Sequence, residues 1–175
     1  MNLKGKRVAM LVEQQYEELE VWYPVYRLRE AGCEVHLVGG EAGKVYPSKH
    51  GYPAKADVAA DAVQASQYDA VIAPGGFSPD YIRRHAAMIQ LVQQVHDAGK
   101  PVAAICHGPW VFCSTKILKG RKVTSFPSIK DDLVNAGATW VDEEVCVDNN
   151  IITSRKPADL PAFTVAIIEA MLGKK

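Results

Sequence analysis

The stretch Ile105-Cys106-His107-Gly108-Pro109 places a thiol and an imidazole side by side at the end of the apolar run Val102–Ile105. The order of residue types predicts a strand, a sharp turn carrying Cys106, and a helix beyond it. A side chain at such a turn is pushed out of the sheet, and the unpaired N–H groups of the helix start favour a negative charge. Cys106 is therefore a candidate nucleophile, expected to form a thiolate readily, with His107 as its base. Gly108 permits close approach, and Pro109 fits a first helical turn. The bland alternative is a buried structural thiol.

Two further groups belong to the same end of the chain's strands. Glu17, Glu18 and Glu20 follow the first apolar run, Val8–Val12. A carboxyl beside Cys106 would raise the thiol when ionised and donate a hydrogen bond to the thiolate when protonated. Solvated acids in a first helical turn are the alternative, and the pattern alone does not choose among the three. Gly75 and Gly76 follow the run Asp69–Ala73. With the N–H of His107 they form a candidate oxyanion hole, against the alternative of an ordinary tight turn. No G-x-G-x-x-G follows, so the pair is not a dinucleotide fingerprint. The other thiols, Cys33, Cys113 and Cys146, read as packing residues, and all four are expected to be free in a reducing compartment.

These groups need a scaffold that gathers strand ends. The chain's 175 residues are 48% hydrophobic, which suits one domain, 1–175, with a sizeable core. Twenty basic and twenty acidic residues give zero formal net charge, so no basic excess points to nucleic acid and no charge run to a membrane surface. Apolar runs are too short to span a bilayer, and the polar start lacks a signal-peptide core, so a cytoplasmic location is expected.

Strand-like runs at Val8–Val12, Glu34–Val38, Asp69–Ala73 and Val102–Ile105 alternate with helical stretches at Glu17–Ala31, Ala86–Ala98, Pro109–Leu118, Ser128–Ala136 and Pro157–Leu172. The first helix is read from apolar positions Leu19, Trp22, Tyr23, Tyr26 and Leu28, with Pro24 as a possible kink. Ser78-Pro79-Asp80 opens a short helix, Gly39–Lys55 is a loop with hairpin pieces, and Lys122–Thr124 is a short strand. Val145–Val147 and Ile151–Thr153 form a hairpin. The alternation predicts an α/β fold with a mostly parallel sheet covered on both faces, and a ligand site beyond the strands' carboxyl ends.

At this point the chain resembles the PfpI intracellular cysteine peptidase family, part of the ThiJ/PfpI superfamily that is class I glutamine amidotransferase-like and includes the parkinsonism-associated deglycases. The matching stretches, in order, are Tyr16-Glu17-Glu18-Leu19-Glu20 with Tyr23-Pro24, Lys49-His50-Gly51-Tyr52, Ala73-Pro74-Gly75-Gly76 and Ala103–Pro109. Ile129-Lys130-Asp131-Asp132 with Asn135-Ala136-Gly137 and Ser154–Leu160 complete them. The resemblance implies a flavodoxin-like three-layer sandwich with Cys106 on a nucleophile elbow, and no metal or organic cofactor. It implies Cys106 as nucleophile, His107 as base, Glu17 as the acid that hydrogen-bonds the thiol, and Gly75 and Gly76 as the oxyanion turn. A third triad member, a Glu supplied by an adjacent subunit in that family, falls on Asp80 here, one methylene shorter. The resemblance further implies a homo-oligomer, with Tyr46, Tyr52 and Tyr81 as natural interface aromatics.

The function expected is that of a cysteine hydrolase, acting on a peptide, a glycated side chain or a small dicarbonyl such as methylglyoxal, in a stress-response setting. The alternative is a non-enzymatic redox sensor whose accessible thiol oxidises first, or a chaperone-like surface with an idle thiol. His107 favours hydrolysis, because a sensor needs no base.

Overall fold

The computed structural model describes residues 2–173. Its strands are β1 (Arg7–Leu11), β2 (Glu34–Gly39), β3 (Val45–Pro47), β4 (Pro53–Lys55), β5 (Val58–Ala59), β6 (Ala70–Ala73), β7 (Val102–Ile105), β8 (Lys122–Val123), β9 (Thr139–Trp140), β10 (Val145–Asp148) and β11 (Ile151–Ser154). Its helices are α1 (Glu18–Glu30), α2 (Ser78–Ile82), α3 (Ala86–Asp97), α4 (Trp110–Cys113), α5 (Lys130–Asn135) and α6 (Leu160–Met171). The main sheet has seven strands in the order β10-β11-β7-β6-β1-β2-β5. All its pairings are parallel except that of the β10–β11 hairpin.

The sequence pattern explains the three layers. Strand residues alternate between the faces. Val8 and Met10 of β1, Ile72 of β6 and Ile105 of β7 pack with Val21, Val25 and Leu28 of α1 and with Phe163, Ile167 and Ile168 of α6. Their neighbours Ala9, Leu11, Val71, Ala73, Val102 and Ala104 pack with Met88, Leu91, Val92 and Val95 of α3 and Phe112 of α4. Strands buried on both faces read as continuous apolar runs, as β1 from Val8, β6 and β7 do.

Counted in chain order, the parallel strands β1, β2, β6, β7 and β11 lie in the order 2-1-3-4-5, the flavodoxin-like arrangement. Connections leave β1 towards β2 on one side and towards β6 on the other. The crevice at that reversal lies beyond the carboxyl ends of β1 and β6, next to the end of β7. These ends carry Tyr16-Glu17, Gly75-Gly76 and Cys106, so topology gathers the three groups.

Some elements differ from the sequence reading. The helix expected over 109–118 stops at Cys113, because the Thr115 hydroxyl bonds back to the Phe112 carbonyl at 2.6 Å and competes with the helical ladder. The two-residue strands β5 and β9 give no periodic signal; β8, the short strand expected at 122–124, pairs with β9 in parallel as a separate ribbon. Pro24 lies within a continuous α1. Tyr46, expected at an interface, is instead 1% exposed; its hydroxyl accepts the Glu41 N–H at 3.2 Å inside the β3–β4 hairpin's packing.

Candidate active site

Cys106 follows β7 directly and has φ +61°, the left-handed region that costs a non-glycine residue energy. The turn is held on both sides. Its N–H donates to the Ser154 carbonyl at 3.1 Å, and its carbonyl accepts the Phe126 N–H at 2.9 Å. Gly108 has no room for a side chain: a Cβ there would lie 2.5 Å from the Ala73 carbonyl oxygen. The backbone thus fixes the thiol's direction by tertiary contacts, as expected for a nucleophile elbow.

His107 Nδ1 lies 3.3 Å from the Cys106 sulfur. The ring is stacked on Phe126 with centroids 5.1 Å apart and meets Trp110 edge-on at 5.4 Å. Its other nitrogen, Nε2, lies 3.1 Å from Ser128 Oγ. Burial lowers the pKa of His107, so the neutral imidazole prevails at neutral pH and can accept a proton.

The carboxyl at the thiol belongs to Glu20, not to Glu17. Glu20 is completely buried. Its Oε2 accepts the Gly75 N–H at 2.7 Å, while its Oε1 has no hydrogen-bond partner among the described residues. Burial, against the pull of the Gly75 N–H, pushes this carboxyl up to about 8, so at neutral pH it carries a proton. Glu17 instead forms an ion pair with Lys49. Glu18 is bonded to the Ser48 hydroxyl and the His50 ring, which pins the loop after β3. The physical reason lies in α1. Its buried stripe is Glu20, Val21, Pro24, Val25 and Leu28, whereas Leu19 and Tyr26 are each 56% exposed. Glu17 precedes the first helical turn; Glu20 sits one turn in, on the face turned to the sheet.

The expected low-pKa thiolate is also corrected. Burial and the negative charge of an ionised Glu20 push the Cys106 thiol up to about 12, against the N–H groups of His107 and Gly76 that face the sulfur. The helix beyond the turn has only four residues, too few to supply much dipole. Burial likewise raises Cys33, Cys113 and Cys146, each to about 11. All four thiols are free. What distinguishes Cys106 is the base and the acid beside it.

Of the expected oxyanion donors, the structure keeps the N–H groups of Gly76 and His107 near the sulfur. Gly75 N–H is occupied by Glu20. Gly76 has φ +68°, and a Cβ there would lie 2.4 Å from the Gln15 carbonyl oxygen, so only glycine fits this turn. Asp80 does not reach His107 within the chain; it lies on α2 in an ion pair with Arg84. Glu20 is one of the three acids that the residue pattern leaves open, and the period of its apolar neighbours in α1 singles it out. Ser128 escapes the sequence reading: it adjoins the matched stretch Ile129–Asp132 without a signal of its own. Among the described residues, no three His, Cys, Asp or Glu side chains converge as a metal-binding group.

The DJ-1/PfpI family profile matches residues 6–170. The chain belongs to the DJ-1/PfpI family. It is 44% identical over 157 residues to a deglycase of Pyrococcus horikoshii, covering 90% of this chain and 94% of that one. It is 40% identical over 161 residues to the protein/nucleic acid deglycase 2 of Escherichia coli, covering 91% and 94%. Among solved structures, a two-domain protein of Anabaena variabilis with DJ-1/ThiJ/PfpI-like and ferritin-like domains superposes with a TM-score of 0.93 at 42% identity. That match covers 97% of this chain and spans about half, 48%, of the two-domain protein. The DJ-1/PfpI fold here includes the sheet order and the elbow already described.

Proposed function

We propose that this protein is a cofactor-independent cysteine hydrolase of the DJ-1/PfpI type, with deglycase activity on glycated side chains or small dicarbonyls as its leading reaction. The observation that carries the reading is the contact of Cys106 Sγ with His107 Nδ1 at 3.3 Å, next to the buried Glu20 carboxyl. The two deglycase relatives support that substrate class.

In this reading the thiol gives its proton to the neutral His107 ring as the sulfur attacks a carbonyl carbon. A carbon–sulfur bond forms, and the carbonyl's π pair moves to oxygen, where the N–H groups of Gly76 and His107 meet the charge. On a small dicarbonyl the imidazolium returns the thiol's proton to the new oxyanion, giving a hemithioacetal; on a glycated side chain sulfur displaces the amine from the carbinol carbon, the amine leaving with that proton, and the same hemithioacetal results. Protonated Glu20 then gives its proton to the neighbouring carbonyl oxygen and takes one back from the sulfur-bearing carbon, giving a 2-hydroxy thioester, which water cleaves to a 2-hydroxy acid with the proton restored to sulfur. Because burial raises Cys106, attack is coupled to proton transfer and does not draw on a standing thiolate.

The setting is proposed to be cytoplasmic and linked to stress, with the chain working as one domain. Self-association is proposed through α1, where Leu19 and Tyr26 are exposed and Trp22 stacks on Tyr26 at 5.7 Å and meets Tyr52 edge-on. Burial of such an aromatic stripe is what stable subunit contacts supply.

The test is a substrate panel of methylglyoxal, a peptide glycated by methylglyoxal, and a fluorogenic peptide, assayed at equal protein concentration. The expected result is turnover of the first two, with release of free amine from the glycated peptide, exceeding cleavage of the third by at least about tenfold in kcat/KM. Cleavage of the fluorogenic peptide alone would replace the deglycase reading with a peptidase; turnover of none would refute the hydrolase.

A further inference from the structure

We propose that Ser128 is a positioning residue that holds the His107 ring through Nε2, forming a Cys106–His107–Ser128 relay. This rests on the hydrolase reading of the same site and adds to it the group that holds the base.

The argument starts from the two nitrogens of one ring. Nδ1 of His107 can take the thiol proton only if it is bare, which places the ring's hydrogen on Nε2. Nε2 lies 3.1 Å from Ser128 Oγ, and the serine oxygen accepts that hydrogen. When the proton leaves sulfur, the imidazolium keeps its Nε2–H, and the same oxygen still accepts it. A hydrogen bond to the charged ring is the stronger of the two, so Ser128 favours the thiolate–imidazolium state over the neutral pair.

The serine is held for this role although it is exposed. Pro127 precedes it in the short 3₁₀ turn 127–129, and Ile129 after it is 1% exposed and anchored in the core. Phe126, two residues before it, donates its N–H to the Cys106 carbonyl at 2.9 Å and stacks on the His107 ring. Ser128 therefore moves with the elbow, not independently of it.

The test uses the rate of Cys106 alkylation by iodoacetamide against pH, which requires no substrate, together with nitrogen-15 NMR of the His107 ring. The full-length wild type, Ser128→Ala and Ser128→Thr proteins are compared. Ser128→Ala is expected to slow alkylation at pH 7 by about threefold to tenfold, to move its midpoint to higher pH, and to mix the ring's tautomers. Ser128→Thr restores the hydroxyl and is expected to restore both readouts. An unchanged profile in Ser128→Ala, or an equal change in Ser128→Ala and Ser128→Thr, overturns the proposal. Failure of every substrate in the panel, with the alkylation shift intact, would refute the hydrolase and leave the relay standing.

Discussion

Cys106→Ser lowers kcat/KM on the protein's substrate by at least about 10³-fold while leaving the fold intact. That loss corresponds to about 4 kcal/mol of transition-state stabilisation. The reason is the chemistry of the elbow. A serine hydroxyl fills nearly the same space at φ +61° and keeps both backbone hydrogen bonds of the turn, so stability should change little. Its proton is far harder to remove than the thiol's, and a lone buried imidazole of lowered pKa is too weak a base to take it. Steady-state kinetics with a thermal melt on the same preparation check this. A variant that keeps its melting temperature and its turnover would assign the chemistry to another residue.

Glu20→Gln produces the largest change in stability against pH. The Glu20 carboxyl titrates near 8 in the folded chain against an ordinary value of 4.5. Between those values the folded protein retains a proton that the unfolded chain releases. Stability from this group is thus complete below about pH 4.5 and is lost as pH rises through about 8, at up to about 1.4 kcal/mol per pH unit within the window. Gln carries no titrating proton, and its side-chain oxygen can still accept the Gly75 N–H. The variant's urea midpoint is therefore expected to stay nearly level from pH 5 to pH 9, while that of the wild type falls. At pH 9 the variant is the more stable protein, yet its turnover drops by roughly 10²-fold because the acid is gone. Parallel midpoint curves for the two proteins would mean that Glu20 is ionised throughout, and the acid's role in the proposed reaction would fail with it.

How far the chain could be read before its structure depended on which physical signal each residue carried. The central strands β1, β6 and β7 are buried on both faces, and their apolar runs announce them. Cys106, His107 and Gly76 lie at or just beyond the ends of such strands, so their gathering follows from topology. The acid was harder to see. Reading α1 from Leu19, Trp22, Tyr23, Tyr26 and Leu28 mixes its two faces, since Leu28 is buried while Leu19 and Tyr26 are exposed. The inward stripe has Val21, Pro24, Val25 and Leu28, mostly smaller residues whose period leads back to Glu20. The resemblance points to Glu17, three residues before the acid on that inward face. Ser128 could not be found by pattern at all. Its place beside His107 comes from a loop contact 21 residues away in sequence, fixed by the Phe126–Cys106 hydrogen bond. The shortened helix after the elbow has a local cause in Thr115, and with it went the expectation of a dipole-stabilised thiolate.

The claim on which the rest depends is that Cys106 is the reacting atom's residue. Labelling the native protein with less than one equivalent of iodoacetamide, mapping the carboxymethyl group by mass spectrometry and measuring turnover of the glycated peptide in the same samples tests it most directly. The account predicts that Cys106 is modified ahead of Cys33, Cys113 and Cys146, and that activity falls in direct proportion to its occupancy. Modification of Cys113 first, or activity that survives complete modification of Cys106, would contradict it.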